Sequence, residues 1–168
     1  MIGPSPVIWD TGTQLWALAR QWRLSEGEDQ ARIKAILDKA IAEEDDVAVT
    51  ECVVAVITRH ADDLEALISN CFEPGLRYLT AKSDVRWVDD AWFIPEAKTF
   101  FARLSAGTAE LVLDNLMSVP RLHTHAEWIL AYIATGHAAA VWSFLSRRVL
   151  YAQRDRDRQD KAHPVVPG

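Results

Sequence analysis

Apolar residues recur at helical spacing along most of this chain. Residues 29–43 place their apolar side chains on one face of a helix. The stretch 47–59 is apolar around most of its circumference, which is typical of a helix enclosed by its neighbours. The last helix is predicted to bury a stripe that includes Trp142 and Val149. This periodicity predicts an all-α protein with about 7–9 helices.

Acidic residues, prolines and glycines indicate where these helices begin and end. The acidic run 43–46 suits the start of the helix that follows it, because carboxylates interact favourably with the positive end of a helix dipole. Pro74 and Gly75 predict the end of a helix that begins near residue 62. Gly136 predicts a left-handed stop before the last helix.

Two parts of the chain, residues 36–68 and 111–145, are similar to each other. At an offset of 76, which becomes 77 after one inserted residue, seven identical residues align over about 33 positions. Each part is predicted as helix, turn, helix, turn, helix, so the chain is predicted to contain stacked helical repeats. A degenerate middle unit around residues 89–93 would set the period near 38 residues. The identities pair Leu37 with Leu113, Asp38 with Asp114, Glu51 with Glu127, Ala55 with Ala131, Ile57 with Ile133, His60 with His137 and Ala61 with Ala138.

Antiparallel helix pairs at this period resemble HEAT repeats, a family of α-solenoids, over roughly residues 29–148. Asp84, Val85 and Arg86 resemble the Asp and Val-Arg positions that this family often carries near its second helix. The resemblance implies a short right-handed α-solenoid of antiparallel helix pairs. It also implies a protein-binding or scaffolding role, often within a longer chain, and no catalytic residues.

The repeats divide the chain into three predicted parts. Residues 1–28 form a lead-in and a capping helix, residues 29–152 form the helical-repeat domain, and residues 153–168 form a polar tail. The repeat units span about 29–72, 76–104 and 108–150. A single pair cannot bury its apolar stripe, whereas stacked pairs share a continuous core. The face at the far end then needs the Arg-rich terminal helix, or more chain, as its cover.

Composition narrows the class of protein. The 168 residues are 49% hydrophobic and 25% charged, which is ordinary for a folded soluble chain. A net charge of −6 argues against nucleic acid as a partner, and no apolar run reaches the roughly 18 residues of a membrane span. The N-terminus lacks the features of a signal peptide. Cys52 and Cys71 have no metal or redox spacing, so they are predicted to be reduced core thiols of a cytoplasmic protein.

The charge distribution suggests where a partner would bind. Residues 26–65 carry twelve acidic and four basic side chains, whereas residues 147–161 carry six basic and three acidic ones. Such runs are usually solvated surface, but they also fit an acidic face for a basic protein partner and a basic end for self-association. Trp9 and Trp87 are predicted to be partly exposed, and exposed Trp is enriched in binding hot spots. The predicted partner-binding residues are Glu43, Glu44, Asp45, Asp46, Asp62, Asp63 and Trp87.

A few side chains could belong to a metal-binding or catalytic site. His123, His125 and Glu127 suggest a metal site, but histidines two residues apart at a helix start are expected to point in different directions. They are therefore predicted to form a capping turn with exposed imidazoles, and metal binding would need a ligand from elsewhere in the fold. His137 is predicted to be structural. With no phosphate loop or nucleophile elbow, the sequence predicts no catalytic residue and no cofactor.

The sequence is compatible with three functional interpretations. The first is a non-catalytic interaction or scaffold module, alone or within a larger protein. The second is a small cytoplasmic inhibitor or immunity-type protein that neutralises a basic protein with its acidic face. The third is an enzyme whose site no sequence motif reveals.

Overall fold

A computed structural model describes residues 26–59, 64–92 and 94–162, with side chains described for 30–59, 64–92 and 94–154. The described residues form seven helices and no strand, and about 80% of them are helical, so the all-α prediction is confirmed. The predicted lead-in with Trp9, the acidic pair Asp62 and Asp63, and His60 lie outside the described residues.

The helices are labelled α1 to α7 in chain order. Helix α3 consists of three consecutive segments, the second of which is a π-helical turn. The bounds are α1 Glu26–Ala42, α2 Asp46–Ile57, α3 Leu64–Leu67 with Ile68–Phe72 and Glu73–Ala81, α4 Trp87–Ala91, α5 Ala97–Ala102, α6 Ala106–Leu116 and α7 Thr124–Ala162.

Helix α2 lies at the centre of the N-terminal half of the fold. Nine of its twelve residues are buried, which confirms the prediction of a helix enclosed by its neighbours. It begins as the acidic run predicted, because the Asp45 side chain accepts a hydrogen bond of 3.0 Å from the Ala48 amide and so caps the helix. Helices α1, α3 and α4 pack around it.

Helix α3 does not end at Pro74 and Gly75, so that prediction was wrong. Pro74 lies in the first turn after the π-helical segment, where proline is tolerated at a helix start. Gly75 is buried, and a Cβ atom there would lie 2.7 Å from Val53 Cγ2. Glycine is therefore present because α3 approaches α2 closely, and the helix continues to Ala81.

Helix α7 reverses direction at His137, whose backbone is not helical (φ −137°, ψ 47°). In a straight helix, residue 148 would lie about 36 Å beyond Thr124. The Arg148 guanidinium instead donates to the carbonyl of Leu116 at 3.2 Å and to that of Pro120 at 3.3 Å, just before the helix begins. Helix α7 therefore has an N-terminal arm, residues 124–136, and a C-terminal arm, residues 138–162.

The reversal does not use a left-handed glycine, so the predicted conformation of Gly136 was wrong. No described glycine has a positive φ. A Cβ atom on Gly136 would lie 2.6 Å from the Ala102 carbonyl oxygen, which shows that this glycine permits close contact with α5. The neighbouring His137 Nε2 donates to the Leu104 carbonyl at 2.7 Å, the structural role predicted for it.

One continuous hydrophobic core runs from α1 to α7. Phe72 and Phe100 meet edge to face, with ring centroids 5.0 Å apart. Cys52 and Cys71 are free thiols buried in this core, as predicted. Burial raises the pKa of Cys52 to about 12 and that of Cys71 to about 11, because the thiolate is poorly solvated there.

Candidate functional site

Part of the predicted acidic surface is engaged within the fold. Asp46 accepts hydrogen bonds from the Tyr78 hydroxyl at 2.7 Å and from Lys82 Nζ at 2.9 Å. The same Lys82 ammonium lies 3.6 Å from a carboxylate oxygen of Glu44. Together with the capping role of Asp45, these contacts give two of the four acidic residues a structural function, and Glu43 and Glu44 stay highly exposed.

The contacts among Asp46, Tyr78 and Lys82 stabilise the charged forms of Asp46 and Lys82. The hydrogen bonds from Lys82 and then Tyr78 hold the pKa of Asp46 below its ordinary value. The hydrogen bonds with Tyr78 and Asp46 raise the pKa of Lys82. The ion pair between Asp46 and Lys82 therefore connects the start of α2 to the end of α3. It also reduces the negative charge that this surface offers to a basic partner.

Trp87 is completely buried, so the prediction of a partly exposed hot-spot residue was wrong. Its indole Nε1 donates a hydrogen bond of 2.7 Å to the side-chain oxygen of Asn115, which is also buried. Its ring packs beside Phe101, with centroids 6.0 Å apart. A buried tryptophan needs a partner for its N–H, and here that partner comes from α6, 28 residues further along the chain.

The two histidines before and at the start of α7 converge on one carboxylate, contrary to the expectation that they diverge. Asp89 on α4 accepts a hydrogen bond from His125 Nδ1 at 2.8 Å, and its same oxygen lies 3.9 Å from His123 Nε2. The three potential ligand atoms all lie within 4.8 Å of one another. Glu127, the third residue of the sequence motif, does not belong to this group, which we call the His-Asp cluster (Asp89, His123, His125).

Neighbouring rings fix the orientation of the imidazoles in the His-Asp cluster. The Trp92 ring stacks on His125 with centroids 4.5 Å apart and an interplanar angle of 6°. The two imidazoles meet edge to face, with centroids 5.4 Å apart. All three cluster side chains remain open to solvent, with exposed fractions of 62% for Asp89, 44% for His123 and 34% for His125. The cluster is therefore a group of side chains, of types that can bind metal ions, whose rings pack against one another at the surface.

A second feature is an apolar surface on the C-terminal arm of α7. Trp142 is 73% exposed although its stripe was predicted to be buried, and Val149, Leu150 and Tyr151 are each more than half exposed. Residues 138–146 include no charged side chain, so solvent meets small and apolar groups there. A helical stretch without charged residues has no strongly solvated side, so it can pack against other groups on two faces. This feature of the sequence could have identified the exposed apolar surface of α7. We call Trp142, Val149 and Leu150 the α7 outer face.

Length and composition alone would allow one described helix, α7 between Thr124 and Arg154, to span a membrane. The core helix of a soluble protein meets the same criterion, and α7 contributes several buried residues to the core, although only 28% of its most apolar 18 residues are buried. The reversal at His137 also divides this stretch into two arms. The stretch is therefore weak evidence for a membrane location.

Comparisons of the chain with protein-family models, with curated proteins and with solved structures find no match.

Proposed function

We propose that this chain is a non-catalytic protein-interaction module, a short right-handed stack of HEAT-like helix pairs that binds a helix of a partner protein. The observation that carries the proposal is the α7 outer face, where Trp142 is 73% exposed beside Val149 and Leu150. Large apolar side chains grouped on one face of a helix favour association with another apolar surface. Tryptophan is enriched among the residues that contribute most to such binding.

The shape of the α7 outer face fits an α-helix as the binding element. Trp142 and Val149 are seven residues apart and Leu150 is one further, so all three lie on one side of the helix. Ala138, Ala139, Ser143 and Ser146 are exposed near them and are small. Small side chains let a second helix approach closely, so that its side chains pack between those of α7.

The internal similarity of the chain supports the same interpretation. Three pairs of residues that correspond in the two similar segments are buried in the fold, and in a stack of repeats each unit covers one side of the next. Helix α7 is the last described helix, so a partner helix on its outer face would occupy the position of a further repeat. The buried pairs are Leu37 with Leu113, Ile57 with Ile133 and, aligned at the offset of 77 without being identical, Leu67 with Phe144.

A protein helix fits this surface better than a lipid bilayer does. Arginines beside a membrane-bound helix typically reach towards lipid headgroups. Here Arg148 donates to carbonyl oxygens at the end of α6, and Arg147 lies 3.4 Å from the Asp114 carboxylate. Both arginines therefore hold the C-terminal arm against the protein.

The test compares three forms of the tagged chain in affinity purification from the native host. We expect a protein that is recovered with the wild type and with Val47→Glu, but lost with the double variant Trp142→Glu/Leu150→Glu. Val47 is 54% exposed on α2 and is the matched apolar control. When the purified partner is added back, amide hydrogen exchange should slow in residues 138–154. Equal recovery with the double variant, a wild-type dimer that the variant abolishes, or binding to lipid vesicles would each refute the proposal.

A second candidate is an inhibitor-type protein that binds a basic partner through its acidic surface. It is favoured by Glu43 and Glu44, whose side chains are 62% and 79% exposed. In the same purification, Glu43→Lys/Glu44→Lys would then abolish recovery of the partner and leave helicity unchanged, whereas Glu110→Lys would not. Asp45 and Asp46 are left unaltered because they hold α2 in place. Recovery that is unchanged in Glu43→Lys/Glu44→Lys eliminates this candidate.

A further inference from the structure

The atoms of the His-Asp cluster lie almost where a bound metal ion would need them. Zn²⁺ binds histidine nitrogen and carboxylate oxygen at about 2.0–2.2 Å, so the ligand atoms of a tetrahedral site lie about 3.3 Å apart. Here Asp89 Oδ1 lies 2.8 Å from His125 Nδ1 and 3.9 Å from His123 Nε2. All three ligand atoms lie within 4.8 Å of one another, so changes in side-chain torsion angles that draw His123 towards the other two ligands would bring them to that spacing. We propose that Asp89, His123 and His125 bind a divalent transition-metal ion of the Zn²⁺ type.

The types of ligand atom select the class of ion. Two imidazole nitrogens and one carboxylate oxygen suit Zn²⁺ and related first-row ions, whereas Mg²⁺ and Ca²⁺ take oxygen ligands almost exclusively. Three protein ligands leave a fourth tetrahedral position to solvent. The partial exposure of the three side chains gives the ion a path to the site.

The backbone beneath each ligand is fixed by burial of its neighbours. Asp89 lies on α4 between Trp87, Val88 and Ala91, all of which are completely buried. His125 is followed at once by Ala126, which is also completely buried. Trp92 stacks on the His125 ring and limits its rotation. The site therefore consists of exposed ligands on a rigid support, which lowers the entropy lost when the ion binds.

Metal binding would connect two parts of the fold. Asp89 belongs to α4, and the histidines lie 34 and 36 residues later, one just before α7 and one in its first turn. An ion that binds the folded chain and not the unfolded one raises the stability of the fold with increasing ion concentration. The site thus ties the short helix α4 to the first turn of α7.

The first test is calorimetric titration of the full chain with ZnCl₂. We expect one ion per chain, binding at least about tenfold weaker in Asp89→Asn and in His125→Ala, and affinity within about twofold of wild type in Glu127→Gln. Glu127 is the matched control, because it is an exposed carboxylate on the same helical turn but outside the cluster. MgCl₂ and CaCl₂ should give no binding heat. Zn²⁺ affinity that is unchanged in Asp89→Asn would refute the site.

A second measurement takes its main result from the wild-type chain. Co²⁺ in a tetrahedral nitrogen and oxygen site has a visible absorption spectrum that octahedral Co²⁺ lacks at comparable intensity. We expect this spectrum to saturate at one Co²⁺ per wild-type chain, to be displaced by Zn²⁺ and to be absent in His123→Ala. A wild-type spectrum typical of hydrated Co²⁺ would refute the proposal.

Discussion

At the scale of single residues, the fold depends on side chains that satisfy several partners at once. Asn115 is completely buried, and its oxygen accepts from Trp87 while its nitrogen donates to Thr80 Oγ1 and to the Asp84 carbonyl, both at 3.1 Å. These bonds join α6 to α3, to α4 and to the turn between them. A buried polar group is tolerated when its hydrogen bonds are complete, as they are here.

Gly136 in α7, which contacts α5, and Gly107 in α6 provide a matched comparison. We expect Gly136→Ala to destabilise the protein by about 1–3 kcal/mol, because the added methyl group would meet the Ala102 carbonyl at 2.6 Å and a helix would have to move. Gly107 has no atom within 4 Å of its Cβ position, so Gly107→Ala should stabilise by up to about 1 kcal/mol through helix propensity. Urea unfolding of the three proteins gives both values. Equal stability of the two variants would contradict the close contact at Gly136.

At the scale of helices, ion pairs join elements that the hydrophobic core also holds together. Asp46 and Lys82 connect α2 to the end of α3. Within the turn between α3 and α4, Arg86 binds the Asp84 carboxylate with Nε 3.0 Å from each oxygen. The hydrogen bond from the Arg86 side chain lowers the pKa of Asp84, as Lys82 lowers that of Asp46. Both carboxylates are therefore more stable as anions in the folded state than in the unfolded chain.

These lowered pKa values determine how stability should depend on pH. The contribution of each carboxylate is complete above its unfolded pKa, about 3.9, and is lost as the pH falls through the lower folded value. We expect the difference in stability between wild type and Asp46→Asn to be largest near neutral pH and to shrink below about pH 4. Urea midpoints measured across this range give the difference.

A lysine variant provides the control for this pH dependence. Lys82→Met removes the partner of Asp46 and should likewise weaken the acid dependence of stability. Lys39→Met removes an exposed ion pair with Glu43, whose charged atoms lie 3.9 Å apart, and should leave the acid dependence of stability unchanged. A stability difference between wild type and Asp46→Asn that stays constant down to the most acidic pH would contradict the ion pair.

At the scale of the whole molecule, the described helices share one core with no boundary between α1 and α7. Helix α3 contacts α1, α2 and α6, and α7 contacts α4, α5 and α6. The C-terminal arm of α7 contributes the buried Phe144 to the core and presents Trp142, two residues earlier, to solvent. One helix thus closes the core on its inner side and provides the proposed binding surface on its outer side.

The two buried thiols should report opening of this core. At mildly alkaline pH we expect Cys52 and Cys71 to react slowly with a thiol reagent and at a common rate, because both are buried and have pKa values raised to about 12 and about 11. The rate should rise with urea as the stability falls. The chain unfolded in concentrated urea, with both thiols reacting at once, is the control. Fast modification of either thiol in the native protein would show that its part of the core opens separately.

The sequence by itself determined the helical class, the enclosed position of α2 and the burial of Cys52 and Cys71. It could do so because hydrophobic periodicity reports which side of a helix faces away from water, and α2 is apolar on nearly every side. The acidic run likewise determined where α2 begins, since a capping residue acts on amides only three positions away.

Only the tertiary structure decided which tryptophans are exposed, which glycines permit close contact and which polar groups meet. Trp87 is buried because Asn115 supplies its hydrogen bond, and His123 and His125 converge because Asp89 approaches them from α4. These partners lie 28 to 36 residues apart in the chain. Local periodicity carries no information about such contacts, because the packing of helices against one another determines which distant residues meet.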